Sequence, residues 1–372
     1  MSPKVKKGLT VYRYEPETGA MQLVGTQYTE MNVGNQSFCR ENGLVYATDE
    51  FWSQLGRLGG GGNVAALRLD PLDGTLERVS FRRTYATNPT YQCMDPERNF
   101  LLVTHHGTEH FVTRLIQTPD GGYDTETLYD DCLLLLMELQ PDGSIGAVCH
   151  VVNVPGVDEV GGHRFPHLHC VVPDHTGRYY LVTDKGLDKI YLYTIDTKAK
   201  RLVKMSEIDS RPGAEPRYGV FHPQKQIFYA NFEHDLSICA YALDTEAGVL
   251  REIGTTPIVP AGTYGEEPMI GDIAMHPSGR FLYTTIRTPN LISMIALGEG
   301  GEMTLRQTIS CGGENPRGIC IAPDGRFLFV ANSNTGTIDG FAIGEDGMLT
   351  GIGTVAQGGV PGNLQIITFE PK

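Results

Sequence analysis

The 372-residue sequence has no hydrophobic run long enough to cross a bilayer. Its longest, around "CLLLLMEL", falls far short of the ~20 apolar residues a spanning helix needs. The basic start, "MSPKVKKGLTVYRYEP", lacks an apolar core of signal-peptide length. The eight cysteines contain no CxxC pair and no compact framework. Buried, reduced thiols are therefore expected, with Cys170 and Cys320 inside apolar strand patterns. Together these absences predict a cytoplasmic protein. Positive charge is also scarce: 30 basic residues face 44 acidic ones, a net charge of −14. Such a surface repels phosphate backbones, so neither nucleic acid nor membrane is an expected partner. Any anion site has to be a local concentration of cations. G-x-S-x-G and HExxH are both missing, which removes the elbow serine and the helical zinc site.

Turn residues are plentiful, with 45 Gly and 22 Pro. That composition suits many short strands. Four segments have the same plan: "NPTYQCMDPERNFLLVTHH" (88–106), "EPRYGVFHPQKQIFYANFE" (215–233), "MIGDIAMHPSGRFLYTTIR" (269–287) and "NPRGICIAPDGRFLFVANS" (315–333). A fifth lies within "RFPHLHCVVPDHTGRYYLVTDKGLDKIYLY" (164–193), and "NQSFCRENGLVYATDE" (35–50) is a weaker copy. Each is a short strand, a turn (proline-centred in all but the weak copy) and a second apolar strand. The prolines Pro96, Pro173, Pro223, Pro277 and Pro323 recur roughly every 50 residues, as propeller blades do. The first step is longer and predicts an insertion between His110 and Met137. A third and fourth strand follow each pair, for example "SICAYALDTEAGVLREIGT". Hairpin turns of Asp, Gly and Thr join them.

The expected fold is all-β, a seven-bladed β-propeller of four-stranded antiparallel blades, forming a single domain over 1–372. Six units are countable. The seventh is expected to join the terminal "GNLQIITF" to the opening "GLTVYRYEPETGAMQLVGT", closing the ring and removing an exposed edge.

In such a ring the start of each first strand and the end of each second strand meet at one mouth of the channel. Counting back from the turn prolines aligns Thr90, His167, Arg217, Gly271 and Arg317, with His169 two residues further along the same strand face. Counting forward aligns His106, Glu233, Arg287 and Ser333, with Asp184 after a one-residue adjustment and Glu50 from the weak copy. Unlike polar residues converging on a pore mouth point to a binding or catalytic site.

The quoted segments from 164 to 345 resemble the seven-bladed propeller lactonase family, which includes bacterial 6-phosphogluconolactonases and fungal carboxymuconate cyclases. The resemblance covers nearly the whole chain. It implies a catalytic set of His169, Arg217, Glu233 and Arg287. The repeat arithmetic reaches the same mouth independently.

A lactone hydrolase needs a base for water, a cation for the oxyanion and a proton donor for the departing alkoxide. His169 and Glu233 can share the proton transfers if burial raises the carboxyl toward neutrality. Arg217 and Arg287 suit bidentate grip on an anion. His106, His167, Asp184, Lys185 and Arg317 are expected to bind substrate, and Tyr264 can cover a flat ring. The substrate is a small lactone or carboxylate: a sugar-acid lactone, or a muconate-type lactone formed by cycloisomerisation. Neither a cofactor nor a metal is expected. His105, His106 and His110, with His163, His167 and His169, do make a metal site the rival reading. A non-catalytic binding scaffold is the other rival. Monomer and homo-oligomer both remain open.

Overall fold

The computed structural model describes residues 8–51, 53–54, 57–130, 132–160, 162–262 and 269–369. Tyr264 lies outside the described residues. Six four-stranded antiparallel sheets follow one another along the chain. We call them blades 1 to 6, and their innermost strands are Val33–Cys39, Pro89–Met94, Leu168–Pro173, Pro216–Phe221, Met269–Met275 and Pro316–Ile321. In each the strands lie side by side in chain order from the inside outward. The long first step is explained by a two-stranded ribbon, Phe111–Gln117 paired with Tyr123–Tyr129, inserted between the second and third strands of blade 2.

The burial pattern explains the repeat. The second strands Leu44–Asp49, Phe100–His105, Ile227–Phe232 and Phe327–Asn332 are buried at every position, sandwiched within their own sheet and between neighbouring blades. Fourth strands such as Arg201–Asp209 expose alternate residues to solvent. Apolar clusters fill each gap between blades. Leu102, Leu134, Val182 and Tyr191 join blades 2 and 3, and Phe228, Phe232, Leu181 and Leu192 join blades 3 and 4. Each such side chain stabilises the fold by about 1.5–3 kcal/mol over leaving it exposed. The proline turns close through local hydrogen bonds. Asp174 accepts from the Tyr179 amide at 2.9 Å, and Gly279 and Gly325 take φ of 72° and 75° in the equivalent turns.

The seventh unit differs from expectation. Leu9–Tyr14 and Met21–Gln27 form a two-stranded sheet, and 361–369 form no ladder strand among the described residues. Side chains rather than a ladder anchor the segment. Ser333 Oγ donates to the Pro361 carbonyl at 2.5 Å. Arg40 donates to Thr368 Oγ1 at 2.9 Å, and Phe38 meets Phe369 edge-on at 5.5 Å. The N-terminal hairpin packs Leu9 and Val11 against blade 1. It packs Tyr12, Tyr14 and Met21 against blade 6, where Leu364 and Ile366 join them.

Candidate functional site

The six innermost strands leave a cavity of about 200 Å³ at the ends where they begin. His106, His169, Lys185, Arg217, Glu233, Arg287 and Arg317 all line it, contributed by blades 2 to 6. The side chains expected at one mouth are thus brought together, except for Ser333, whose Oγ donates to the Pro361 carbonyl, and two others.

Asp184 turns inward and is fully buried. One carboxylate oxygen accepts the amides of His167, Gly186 and Leu187 at 2.8, 3.1 and 3.1 Å. The other accepts from the Tyr191 hydroxyl at 3.1 Å. The turn after the second strand leaves those amides without ladder partners, and the carboxylate satisfies them. His167 is the last exception. The strand begins only at Leu168, and its pairing shifts between Leu168 and Cys170, so a bulge places His169 in the cavity by itself. His167 instead lies flat behind His106, ring centroids 4.1 Å apart, with its Nδ1 on the His106 carbonyl at 2.8 Å.

The other histidines disperse. His105 faces away and bonds the Leu133 carbonyl through Nδ1 at 2.9 Å. His163 stacks on Tyr129 at 3.4 Å and pairs with Asp158. Among the described residues no three His, Cys, Asp or Glu side chains gather as a metal-ligand set.

Glu233 is the electrostatic centre. It is 1% exposed, yet Lys185 Nζ reaches its Oε2 at 2.6 Å, Arg217 Nε stands 3.6 Å from the same oxygen, and Arg287 donates to Oε1. Burial alone would raise this carboxyl. Arg217, Arg287 and Lys185 outweigh burial and hold it at about 2. The expectation that burial raises Glu233 toward neutrality is therefore reversed: it remains a carboxylate. His169 moves the other way. Burial first, then Arg217, His106 and Lys185, push it well below the usual imidazole value. His106 is lowered likewise, by burial and then His167. Both rings are neutral at neutral pH. His169 Nδ1 is buried with no hydrogen-bond partner among the described residues.

Both central arginines are fixed. Arg217 is 4% exposed, lies over the Tyr218 ring at 4.5 Å and donates to the Gly271 carbonyl at 2.8 Å. Arg287 Nε donates to the Ile270 carbonyl at 2.8 Å. Arg317 has no carboxylate within ion-pairing distance among the described residues. Lys185 also pairs with Glu215 at 3.1 Å. Glu215 takes φ 59°, an uncommon conformation for this residue type and especially before a proline.

Sequence reasoning missed Tyr218, Asn88, Met269 and Asn363, which also line the cavity. Tyr218 follows Arg217 and would face away in a regular strand, but pairing shifts between Pro216 and Gly219. Asn363 arrives on the C-terminal segment, which passes so close to blade 6 that a Cβ on Gly318 would meet Asn363 Cα at 2.9 Å. Only Asn88, before a repeat proline as Asn315 is, carried a signal in the repeat itself.

Residues 1–366 match the family model described as "Lactonase, 7-bladed beta-propeller". A 6-phosphogluconolactonase of Pectobacterium carotovorum is 31% identical over 42% of this chain, and the match spans about half of that relative, 49%. A 6-phosphogluconolactonase of Bacillus subtilis is 23% identical over 82% of this chain and 79% of its own. Among solved structures, a periplasmic gluconolactonase of Pseudomonas aeruginosa superposes with a TM-score of 0.84 at 23% identity, covering 98% of this chain and 96% of that one. That likeness is one of fold.

Proposed function

Because the chain belongs to the seven-bladed β-propeller lactonase family, we propose that its cavity hydrolyses the lactone of a sugar acid, as the names of its relatives suggest. The observation that carries this reading is a neutral His169 lining a buried pocket beside fixed cations. A neutral imidazole accepts a proton from water as the water oxygen attacks the lactone carbonyl. Negative charge then moves to the carbonyl oxygen, where Arg217 and Arg287 stabilise it. Collapse breaks the ring C–O bond, and the imidazolium returns the proton to the departing alkoxide. Lactone and water become one hydroxy acid. Glu233, held ionised, keeps the arginines and Lys185 oriented and balances part of their charge. This assigns the proton transfers to His169 and removes Glu233 from them. Arg317 is available for a substrate carboxylate or phosphate. His106 lines the wall and His167 backs it.

We also propose that the N-terminal hairpin and the segment 361–369 together make the seventh blade and close one propeller domain over the whole chain. The cysteines are unbridged, which supports a reducing compartment.

The test is a panel of 6-phosphogluconolactone, unphosphorylated aldonolactones and carboxylated muconolactones. Turnover of a sugar-acid lactone that disappears in His169→Ala is the expected result. Turnover of the muconolactones alone moves the reading to the cycloisomerase class. No turnover across the panel by folded protein overturns it in favour of a binding scaffold.

A further inference from the structure

The two central arginines end on adjacent carbonyls of one strand. Arg287 Nε reaches the Ile270 oxygen and Arg217 Nη1 the Gly271 oxygen, each at 2.8 Å. Successive carbonyls of a regular strand point to opposite sides, so two adjacent ones do not face the same groups. Here the pairing of Met269–Met275 with Phe281–Thr288 shifts between Ile270 and Ile273. The bulge turns both oxygens toward the guanidinium groups.

Side chains behind the cavity hold this bulge. Thr285 Oγ1 accepts the Asp272 amide at 2.9 Å. Thr284 Oγ1 donates to the Asp272 carbonyl at 2.9 Å and accepts from Asn231 Nδ2 at 3.3 Å. Asn231 Oδ1 accepts the Tyr218 amide at 2.9 Å. Asn231, Thr284 and Thr285 are completely buried, and none of them lines the cavity. Hydroxyls set among Phe281, Leu282, Tyr283 and Ile286 cost desolvation unless they are bonded. Gly271 completes the device, since a Cβ there would collide with Thr285 Oγ1 and the Pro316 carbonyl.

We propose that the Ile270–Ile273 bulge, latched by Thr285, is the positioning element that aims both arginines into the cavity, with Thr285 as a positioning residue. A related latch exists in blade 1, where Thr48 Oγ1 accepts the Asn35 amide at 2.9 Å, but no cavity arginine rests on that bulge. Blade 1 is therefore an internal control. The kinetic consequence rests on the lactonase reading; the geometric one does not.

The experiment compares Thr285→Val, Thr285→Ser and Thr48→Val. It reads kcat and KM on the lactone that is turned over, and solvent exchange of the Arg287 Nε–H by NMR. Misplacing a charge-stabilising group by about 1 Å costs up to about 10²-fold. Thr285→Val is expected to lower kcat about tenfold or more and to speed Arg287 Nε–H exchange by a similar factor. Thr285→Ser, which keeps the acceptor, restores both, and Thr48→Val changes neither. If Thr285→Val melts too low for assay, Thr285→Ala supplies the same comparison. Wild-type exchange and turnover in Thr285→Val overturn the proposal. So does an equal loss in Thr48→Val, which would make the latch a general fold support. If the wild type turns over no lactone, the functional reading fails, and the exchange rates alone decide the positioning role.

Discussion

Lys185 Nζ lies 2.6 Å from Glu233 Oε2, and this contact joins the end of a strand in blade 3 to the end of one in blade 4. Glu233→Gln would leave Lys185, Arg217 and Arg287 facing one another without their shared anion. Breaking a buried pair in this way costs about 3–5 kcal/mol. Glu233 is held at about 2 in the folded chain, so its contribution is present above the ordinary carboxyl range and lost as pH falls toward 2. Urea midpoints of wild type and Glu233→Gln are expected to differ at pH 7 and to converge in acid. Turnover in the variant is expected to fall about 10²-fold as the arginines reorient. Equal midpoints and equal turnover at pH 7 would remove Glu233 from the site's architecture.

The acid limb of the rate profile follows from His169. Its folded value lies well below 6.5 because burial and the neighbouring cations disfavour the imidazolium. Activity, read as kcat/KM, is therefore expected to hold flat from pH 8 down past 6.5, and to fall only in more acidic buffer as the base is protonated. A limb centred at or above 6.5 would point to a different base.

Arg287→Lys preserves charge but loses the planar fork that spans the Ile270 carbonyl and Glu233. Loss of an oxyanion donor costs about 10²–10³ in turnover. A lysine variant within twofold of wild-type kcat would show that charge alone suffices there.

Chelation is expected to leave turnover intact. The rings of His106 and His167 stack face to face, and His169 meets His106 edge-on at 6.0 Å, arrangements that do not point three ring nitrogens at one centre. Dialysis against a strong chelator followed by assay checks this. Loss of activity restored by zinc or manganese would sink it.

The repeat and the mouth were legible because proline turns mark a fixed phase. From Pro173, Pro223 and Pro277 one can count to His169, Arg217, Glu233 and Arg287, and all four line the cavity. Counting fails wherever the backbone leaves the regular pleat. Bulges moved His167 behind His106 and turned Tyr218 into the cavity. The amide-rich turn after Thr183 drew Asp184 inward, which no spacing rule encodes. The charge state of Glu233 was out of reach for another reason: burial and three cations oppose each other, and only distances decide which prevails. Asn363 belongs to a segment with no ladder, so strand patterning carried no information about it.

Deleting 361–372 is expected to abolish both thermal stability near the wild-type value and turnover, because that segment packs Leu364 and Ile366 into the cluster between the N-terminal hairpin and blade 6. A truncated chain that melts and turns over like wild type would show that the ring closes without it.

On the proposed closure, the same segment is both a stretch of cavity wall and the seam of the ring. Six blades are each a complete four-stranded ladder, whereas among the described residues 361–369 form no ladder and are fastened by a few side-chain clips, and Gly362 and Asn363 form part of the cavity wall. Local opening starts where ladder bonds are fewest. The amides of this clasp should exchange with heavy water long before those of Ile227–Phe232 or Phe327–Asn332. A ligand bridging Arg317 and Asn363 would slow that exchange by stitching the seam shut. Product escape and the breathing of the ring would then be the same motion.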